Sequence, residues 1–493
     1  MAELLINFAP YETRIALVEE GQVVEFYVER PKEKGVVGNI YKGRVVRVLP
    51  GMKAAFVEVG LSRTAFLYGG DFLPVLEGEE LFGESGVVPE RALCEVLKEG
   101  QEILVQVIKE PVGSKGARLS TNITLPGHYL VYLPYMGHIG VSRKIKDEAE
   151  RERLRRMVEE LRPKDTGWIV RTAAEGATAE EIRPEMEFLI SLWEEISARA
   201  EKVKAPALVY EELEASLRAV RDLLTREVSS VVIDHRGEYE KILSFLSRAA
   251  PHLKGCVKLH EGPRGLFETH GVEVDPKRLL SPKVWLKSGG FIVIEPCEAF
   301  TAIDVNTGRY VGRKDLEETV FKTNLEAARE IAYQLRLRNI GGLIVIDFID
   351  MENPEHREEV YQALKEALKR DRAKTALKPI SDFGLLEMTR ERRRESLYEV
   401  FLERCPHCGG EGRTKSRRTI CYEIFRRIER MGPHLREKTL EIRLNPELAE
   451  FFPEEMDFIS ELERTYHFEL ELTPTCEMTL SEYKFHLKPE LDR

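Results

Sequence analysis

The chain has 493 residues, more than one hydrophobic core usually organises, so three or more folding units are expected. Hydrophobic residues make up 43% and charged residues 32%, the balance of a soluble globular protein, and the apolar runs are far too short for a membrane span. The net charge of −11 argues against a nucleic-acid partner until its distribution is considered: Glu441 to Arg493 holds five Lys/Arg and fourteen Asp/Glu, whereas Met388 to Arg430 holds twelve Lys/Arg and seven Asp/Glu, a local basic stretch able to bind phosphate.

The N-terminal "MAELLINFAPYETR" has a short apolar stretch, an early Glu3 and no small-residue cleavage pattern, so a cytoplasmic location is expected. "ELLINFA", "TRIALVEE" and "QVVEFYVE" read as strands, and "PKEKGVVGN" as a loop. From Asn39 to about Asn122 the strands are short and punctuated by glycine, the pattern of a small β-barrel. "GHYLVYLPYMGHIGVSRKI" is strand-like, "DEAERERLRRMVEELRP" helical, "GWIVRTAA" a strand, and residues 179–224 mostly one long helix. "SSVVIDHRGEYEKILSFLSRAA" reads as strand then helix. A hairpin, "GGFIVIEPCEAFTAIDVNTG", precedes an amphipathic helix, the strand "GGLIVIDFI" and a further helix, "HREEVYQALKEALKRDRA". A final α/β segment follows "CPHCGGEG", and there is no internal repeat.

Asp304 and Asp347 each close an apolar strand, and the helix between them makes a strand–helix–strand unit. The two strands can then lie adjacent, with both carboxylates at one sheet edge. Facing carboxylates repel unless one is protonated or a cation sits between them. A hard divalent ion such as Mg²⁺ accepts one or two protein carboxylates and keeps waters for a phosphate substrate. Asn306 is placed to hold Asp304, and Asp350 either orients Asp347 or faces solvent. The bland alternative is that both aspartates merely begin turns. Arg390, Arg392, Arg393 and Arg394 in "EMTRERRRES" are candidates for a backbone-phosphate clamp or a solvated face.

In the barrel, Phe56 and Phe66 lie ten residues apart among Lys and Arg. They are either base-stacking platforms in a basic groove or core residues, and periodicity alone favours core. Seven cysteines are scattered, and only Cys405 and Cys408 have metal spacing. Their C-x-x-C knuckle supplies half of a tetrahedral zinc site, which a second copy of the chain could complete. The alternatives are inert thiols or a redox pair, although the redox form normally opens a helix in a thioredoxin-like unit, which the sequence does not suggest.

Eight blocks in order, "NIYKGRV…AAFVEVG…RTAFL", "KGARLSTNITLPGHYLVYLP", "GVSRKI", "GWIVRTAAEGA", "AIDVNTGRYVG", "GGLIVIDFIDM", "EMTRERRRESL" and "CPHCGGEG", give the chain a resemblance to the ribonuclease E/G family of endoribonucleases over essentially its whole length. The resemblance implies cleavage of single-stranded RNA, in rRNA maturation and mRNA turnover, to leave 5′-phosphate and 3′-hydroxyl ends. It implies Asp304 and Asp347 as Mg²⁺ ligands, Asn306 as the residue positioning Asp304, and Phe56, Phe66 and Lys115 as RNA contacts, reversing the periodicity reading. It implies a 5′-monophosphate sensor at Arg171 and Thr172, with Gly127, Val131 and Arg143, and a Zn²⁺ link through Cys405 and Cys408 joining a homodimer, or two dimers in a tetramer. The implied fold is multidomain α/β and α+β. An RNase H-like subdomain (1–34 and 215–278) is interrupted by an S1 domain, an OB-type β-barrel (35–125), and by a 5′-sensor domain (126–214). A DNase I-like catalytic domain (279–400), a zinc-link (401–415) and a small C-terminal α/β domain (416–493) follow. The chain reads as a short member without the long disordered scaffold that follows in some relatives, and an acidic loop around 70–101 is not expected to hold RNA. Asp234 is given no chemistry. The rival readings are a non-catalytic S1-type RNA-binding factor and a metal-dependent DNase or phosphatase on the same catalytic fold.

Overall fold

The computed structural model describes residues 2–72, 96–111, 115–308, 316–410 and 412–488. They form two compact units, Met1–Val400 and Phe401–Arg493. Most of the acidic loop expected within the barrel lies outside the described residues, as does Cys94.

The first unit begins with an antiparallel meander, β1 (Ala2–Ala9), β2 (Glu12–Glu19) and β3 (Gln22–Glu29). Next come β4 (Ile40–Leu49), β5 (Ala54–Glu58), β6 (Ala65–Tyr68), β7 (Glu102–Lys109) and β8 (Arg118–Ser120). They pair in the order β4-β5-β6-β8-β7, and β7 returns to β4, closing a five-stranded barrel. Val45, Val57, Leu67, Val105 and Leu119 are among the residues filling it. A second small sheet holds β9 (Leu125–Pro126), β10 (Leu130–Leu133), β11 (Ile139–Val141) and β12 (Gly167–Val170), with α1 (Glu148–Leu161) and α2 (Ala179–Lys202) packed around Trp168.

The expected helix over 179–224 is broken. After α2, Pro206 lacks the N–H a helix needs, and the β-rich "ALVY" that follows becomes β13 (Ala207–Tyr210), paired with β4. Helix then resumes as α3 (Ala215–Leu223). β14 (Val228–Ile233), α4 (Arg236–Ala249) and β15 (Val257–Leu259) add to the first meander, giving the order β15-β14-β1-β2-β3. That sheet is therefore built from two chain segments separated by the barrel. Asp234 serves it locally: it accepts from the Asn7 amide at 2.6 Å and the Phe8 N–H at 2.9 Å.

A six-stranded sheet completes the unit: β16 (Lys283–Trp285), β17 (Phe291–Pro296), β18 (Thr301–Asn306), β19 (Gly342–Asp347), β20 (Thr375–Leu377) and β21 (Leu385–Arg390), in the order β16-β17-β18-β19-β21-β20. β18 and β19 are parallel, and α5 (Leu316–Leu337) lies between them in the chain. Ile292, Ile294, Ile303, Val305, Ile344 and Ile346 point to one face and bury against Ala328, Ile331 and Leu335 of α5 and Val360 and Leu364 of α6 (Pro354–Ala367). The period of two leaves the alternate residues on an open face.

The second unit places α7 (Arg417–Met431) and α8 (Met456–Tyr466) with a three-stranded sheet, β22 (Thr439–Leu444), β23 (Glu469–Pro474) and β24 (Tyr483–Lys488), in the order β23-β22-β24. Cys421 lies in its core, where burial pushes the thiol up to about 11.

Candidate active site

Asp304 and Asp347 are register partners on the parallel strands β18 and β19. Register partners share a face, and neighbouring strands lie about 4.8 Å apart, so the two carboxylates stand side by side on the open face. Both residues are exposed. Neither serves as a turn residue: Asp304 lies within β18, and Asp347 is the last residue of β19. The Asn306 amide donates to Asp304 Oδ2 at 2.8 Å and fixes that carboxylate. Burial, then the neighbouring carboxylates of Asp304 and Asp350, push Asp347 above the ordinary carboxylate range. Among the described residues, no group of three or more His, Cys, Asp or Glu side chains is arranged to hold a metal. A pair of adjacent carboxylates, one held by an amide, nevertheless suits a hard cation that keeps waters in its remaining positions.

The arginine clamp is only partly as expected. Arg390 is buried, with parity matching Leu386 and Met388 on the inward face of β21. Its guanidinium donates to both Asp371 oxygens at 2.7 and 3.1 Å, to Asn339 at 3.2 Å and to the Ile340 carbonyl at 3.0 Å. Arg390 is thus a strut of the sheet, not a phosphate ligand. Arg392 is exposed, held by one donation to the Gly341 carbonyl at 3.3 Å.

On the barrel, Phe56 and Phe66 are register partners of β5 and β6, with ring centroids 5.9 Å apart at 68°. Neither is in the core cluster, and both are partly exposed, contrary to the periodicity reading. Lys115 is exposed.

Arg171, Gly127, Val131 and Arg143 meet at one end of the second sheet. β11 and β12 are parallel, which brings Arg143 just past one strand and Arg171 just past the other to the same edge. Val131 pairs with Ile169 on β12. Arg171 donates to the Gly127 carbonyl and to Asp222 at 2.9 Å, and Thr172 follows it, exposed. Sequence reasoning missed the polar network behind this edge. Glu185, fully buried on α2, accepts the N–H groups of His128, Tyr129 and Leu130, and burial pushes its carboxyl up to about 7 despite them. A Cβ at Gly127 would stand 2.5 Å from that carboxylate, so a larger residue there would push Glu185 away from its three N–H donors. Arg221 binds Glu212 at 2.8 Å and Asp222 at 3.0 Å.

Cys405 and Cys408 sit in a glycine-rich turn, exposed and half-buried respectively. The N–H groups of Cys408 and His407 hold the Cys405 thiol below its ordinary value, and Gly412 N–H donates to Cys408 Sγ at 3.3 Å. Such N–H donation stabilises thiolates, the form that binds a metal.

Two matches place this geometry. A model of the "Ribonuclease E/G family" matches residues 124–393, and one of an "RNase E/G, Thioredoxin-like domain" matches residues 404–488. The second covers Cys405 and Cys408 and corrects the expectation that the knuckle does not belong to a thioredoxin-like unit. The cysteines nevertheless precede α7 in a turn rather than opening it, so the placement of a redox pair is not reproduced. The chain is 44% identical to ribonuclease G of Haemophilus influenzae over 91% of each chain, and 43% identical to ribonuclease G of Escherichia coli over 94% of each. It is 39% identical to ribonuclease E of Escherichia coli over 90% of this chain but 41% of that protein. The class defined is a mixed α/β protein that joins a closed barrel to a carboxylate-bearing sheet. The chain belongs to the ribonuclease E/G family of endoribonucleases.

Proposed function

We propose that the protein is a Mg²⁺-dependent endoribonuclease of the ribonuclease G type. It cuts single-stranded RNA in rRNA maturation and mRNA turnover, leaves 5′-phosphate and 3′-hydroxyl ends, and is stimulated by a 5′-monophosphate. The observation that carries this reading is the register pairing of Asp304 with Asp347 on the open face. These two carboxylates would hold the ion, which when bound polarises a phosphate oxygen and lowers the pKa of a water. The Asn306 amide holds the Asp304 carboxylate in place. Phe56 and Phe66, edge to face and partly exposed, offer aromatic surface for bases, and the strand order of the barrel suits an S1, OB-type domain. Lys115 and Arg392 supply cations for the RNA backbone. Arg171, Thr172 and Arg143, with the backbone at Gly127 and Val131, form the terminal-phosphate pocket.

The domain reading follows: an RNase H-like sheet split across 1–34 and 215–278, S1 at 35–125, sensor at 126–214, DNase I-like catalytic domain at 279–400, zinc-link at 401–415 and a small domain at 416–493. Cys405 and Cys408 would give a structural Zn²⁺ two thiolates per chain, so a homodimer completes the four. A cytoplasmic location accords with the absence, among the described residues, of a helix long and apolar enough to cross a membrane.

The test uses a 5′-monophosphorylated, A/U-rich oligoribonucleotide with Mg²⁺ or EDTA. Asp304→Asn is expected to lower cleavage by roughly a thousandfold, several kcal/mol of metal assistance, while RNA binding stays near wild type. Retained cleavage rejects the reading, and binding without cleavage by the unaltered protein supports the non-catalytic rival. Cys405→Ser is expected to release zinc and weaken self-association. An unchanged mass by light scattering at equal concentration would remove the zinc-link.

A further inference from the structure

The open face of the catalytic sheet carries a second feature that the carboxylates do not explain. Residues directly opposite on neighbouring strands share a face. One row runs Lys283, Val293, Asp304, Asp347, and the next runs Trp285, Phe291, Asn306. Trp285 is two strands from Asn306, about 10 Å at the usual strand spacing. It is 62% exposed, whereas Trp168 is wholly buried. The core contact of β16 is made by Val284, so the indole is not spent on packing. Lys283 Nζ lies 4.1 Å from the Trp285 ring centroid and 3.5 Å from that of Phe291. The two rings stand edge to face, 5.4 Å apart at 64°. An exposed indole held by a second ring and an ammonium is orientated before any ligand arrives.

We propose that Trp285 and Phe291, with Lys283 beside them, form a stacking subsite for one nucleobase of single-stranded RNA next to the phosphate that Asp304 and Asp347 serve. The proposal rests on the RNA-cleaving reading above and adds a ligand contact to the same face. The occupant is argued from continuity with the carboxylate pair and from the mixture of groups. A π-face takes any base, and a cation beside it suits the strand's phosphates, whereas an apolar protein segment would gain nothing from the ammonium. The subsite therefore contributes affinity and placement of the strand without selecting a particular base.

The experiment uses the full chain carrying Asp304→Asn, so that RNA is held and not cut, with a 5′-monophosphorylated, A/U-rich oligoribonucleotide in EDTA. Trp285 is the most exposed of the described indoles, and RNA is expected to quench tryptophan fluorescence, a change that Trp285→Phe removes. By fluorescence anisotropy, Trp285→Ala is expected to weaken RNA binding about tenfold, as stacking of a single base does, and Trp285→Phe to restore most of it. A quench that survives Trp285→Phe, or equal affinity for Trp285→Ala, overturns the subsite while leaving RNA binding and the nuclease reading in place. Failure of every form to bind RNA overturns both, so the two failures are told apart.

Discussion

Asp347 and Asp222 belong to the same compact unit and meet opposite surroundings. Burial and the carboxylates of Asp304 and Asp350 push Asp347 up. Burial would push Asp222 up as well, but the guanidiniums of Arg221 and Arg171 overcome it and hold that carboxyl well below the ordinary range. Around Asp222 each charge has its partner within the chain: Arg221 faces Glu212 and Asp222, and Arg171 faces Asp222. On the open face of the six-stranded sheet two acids stand side by side, an arrangement that costs stability unless a cation from outside joins them. The contrast separates charges paired within the fold from the two acids that the proposed ion would join.

The comparison can be broken at either end. The largest effect on folding is expected from Arg221→Ala, which leaves Glu212 and Asp222 with a buried deficit of positive charge. Removing one partner of a buried pair costs about 3–5 kcal/mol. The midpoint of urea unfolding should fall accordingly, and an unchanged midpoint would show that the network does not hold the fold. A smaller and more selective effect is expected from Arg171→Gln. It should lower cleavage of 5′-monophosphorylated RNA by about tenfold, within the usual range of a coupling between sites, with little change on 5′-hydroxyl RNA. Equal losses on the two substrates would place Arg171 with the structural charges instead.

Much of the carboxylate edge was legible in the sequence. An apolar β-rich run followed by Asp, repeated on either side of an amphipathic helix, predicts two parallel strands that bring their aspartates together, although Asp304 proves to lie within β18 and Asp347 at the end of β19. The periodicity reading of the two phenylalanines as core failed because it did not separate the two faces of each strand. Phe56 shares parity with exposed Glu58, while Val57 and Val59 share the buried parity, and Phe66 alternates with buried Ala65 and Leu67. Arg390 carried the same signal in reverse, since Leu386 and Met388 set the inward face it joins. The family resemblance picked out Arg171 and Gly127, but nothing local announced Glu185, Glu212 or Arg221. Glu185 takes N–H groups 55 to 57 residues away, and Arg221 reaches back nine residues to Glu212, through hydrogen bonds that only the folded chain brings together. The break after α2 depended on Pro206 and on β4 having a free edge for β13, of which the first is local and the second is not.

The most direct test of the central claim is Mn²⁺ binding to the EDTA-treated protein, followed by electron paramagnetic resonance, since Mn²⁺ takes the same oxygen ligands as Mg²⁺ and thiolates favour softer ions. The account predicts that the unaltered chain binds Mn²⁺ and that Asp304→Asn and Asp347→Asn each abolish that binding. Undiminished Mn²⁺ binding by both variants would contradict it.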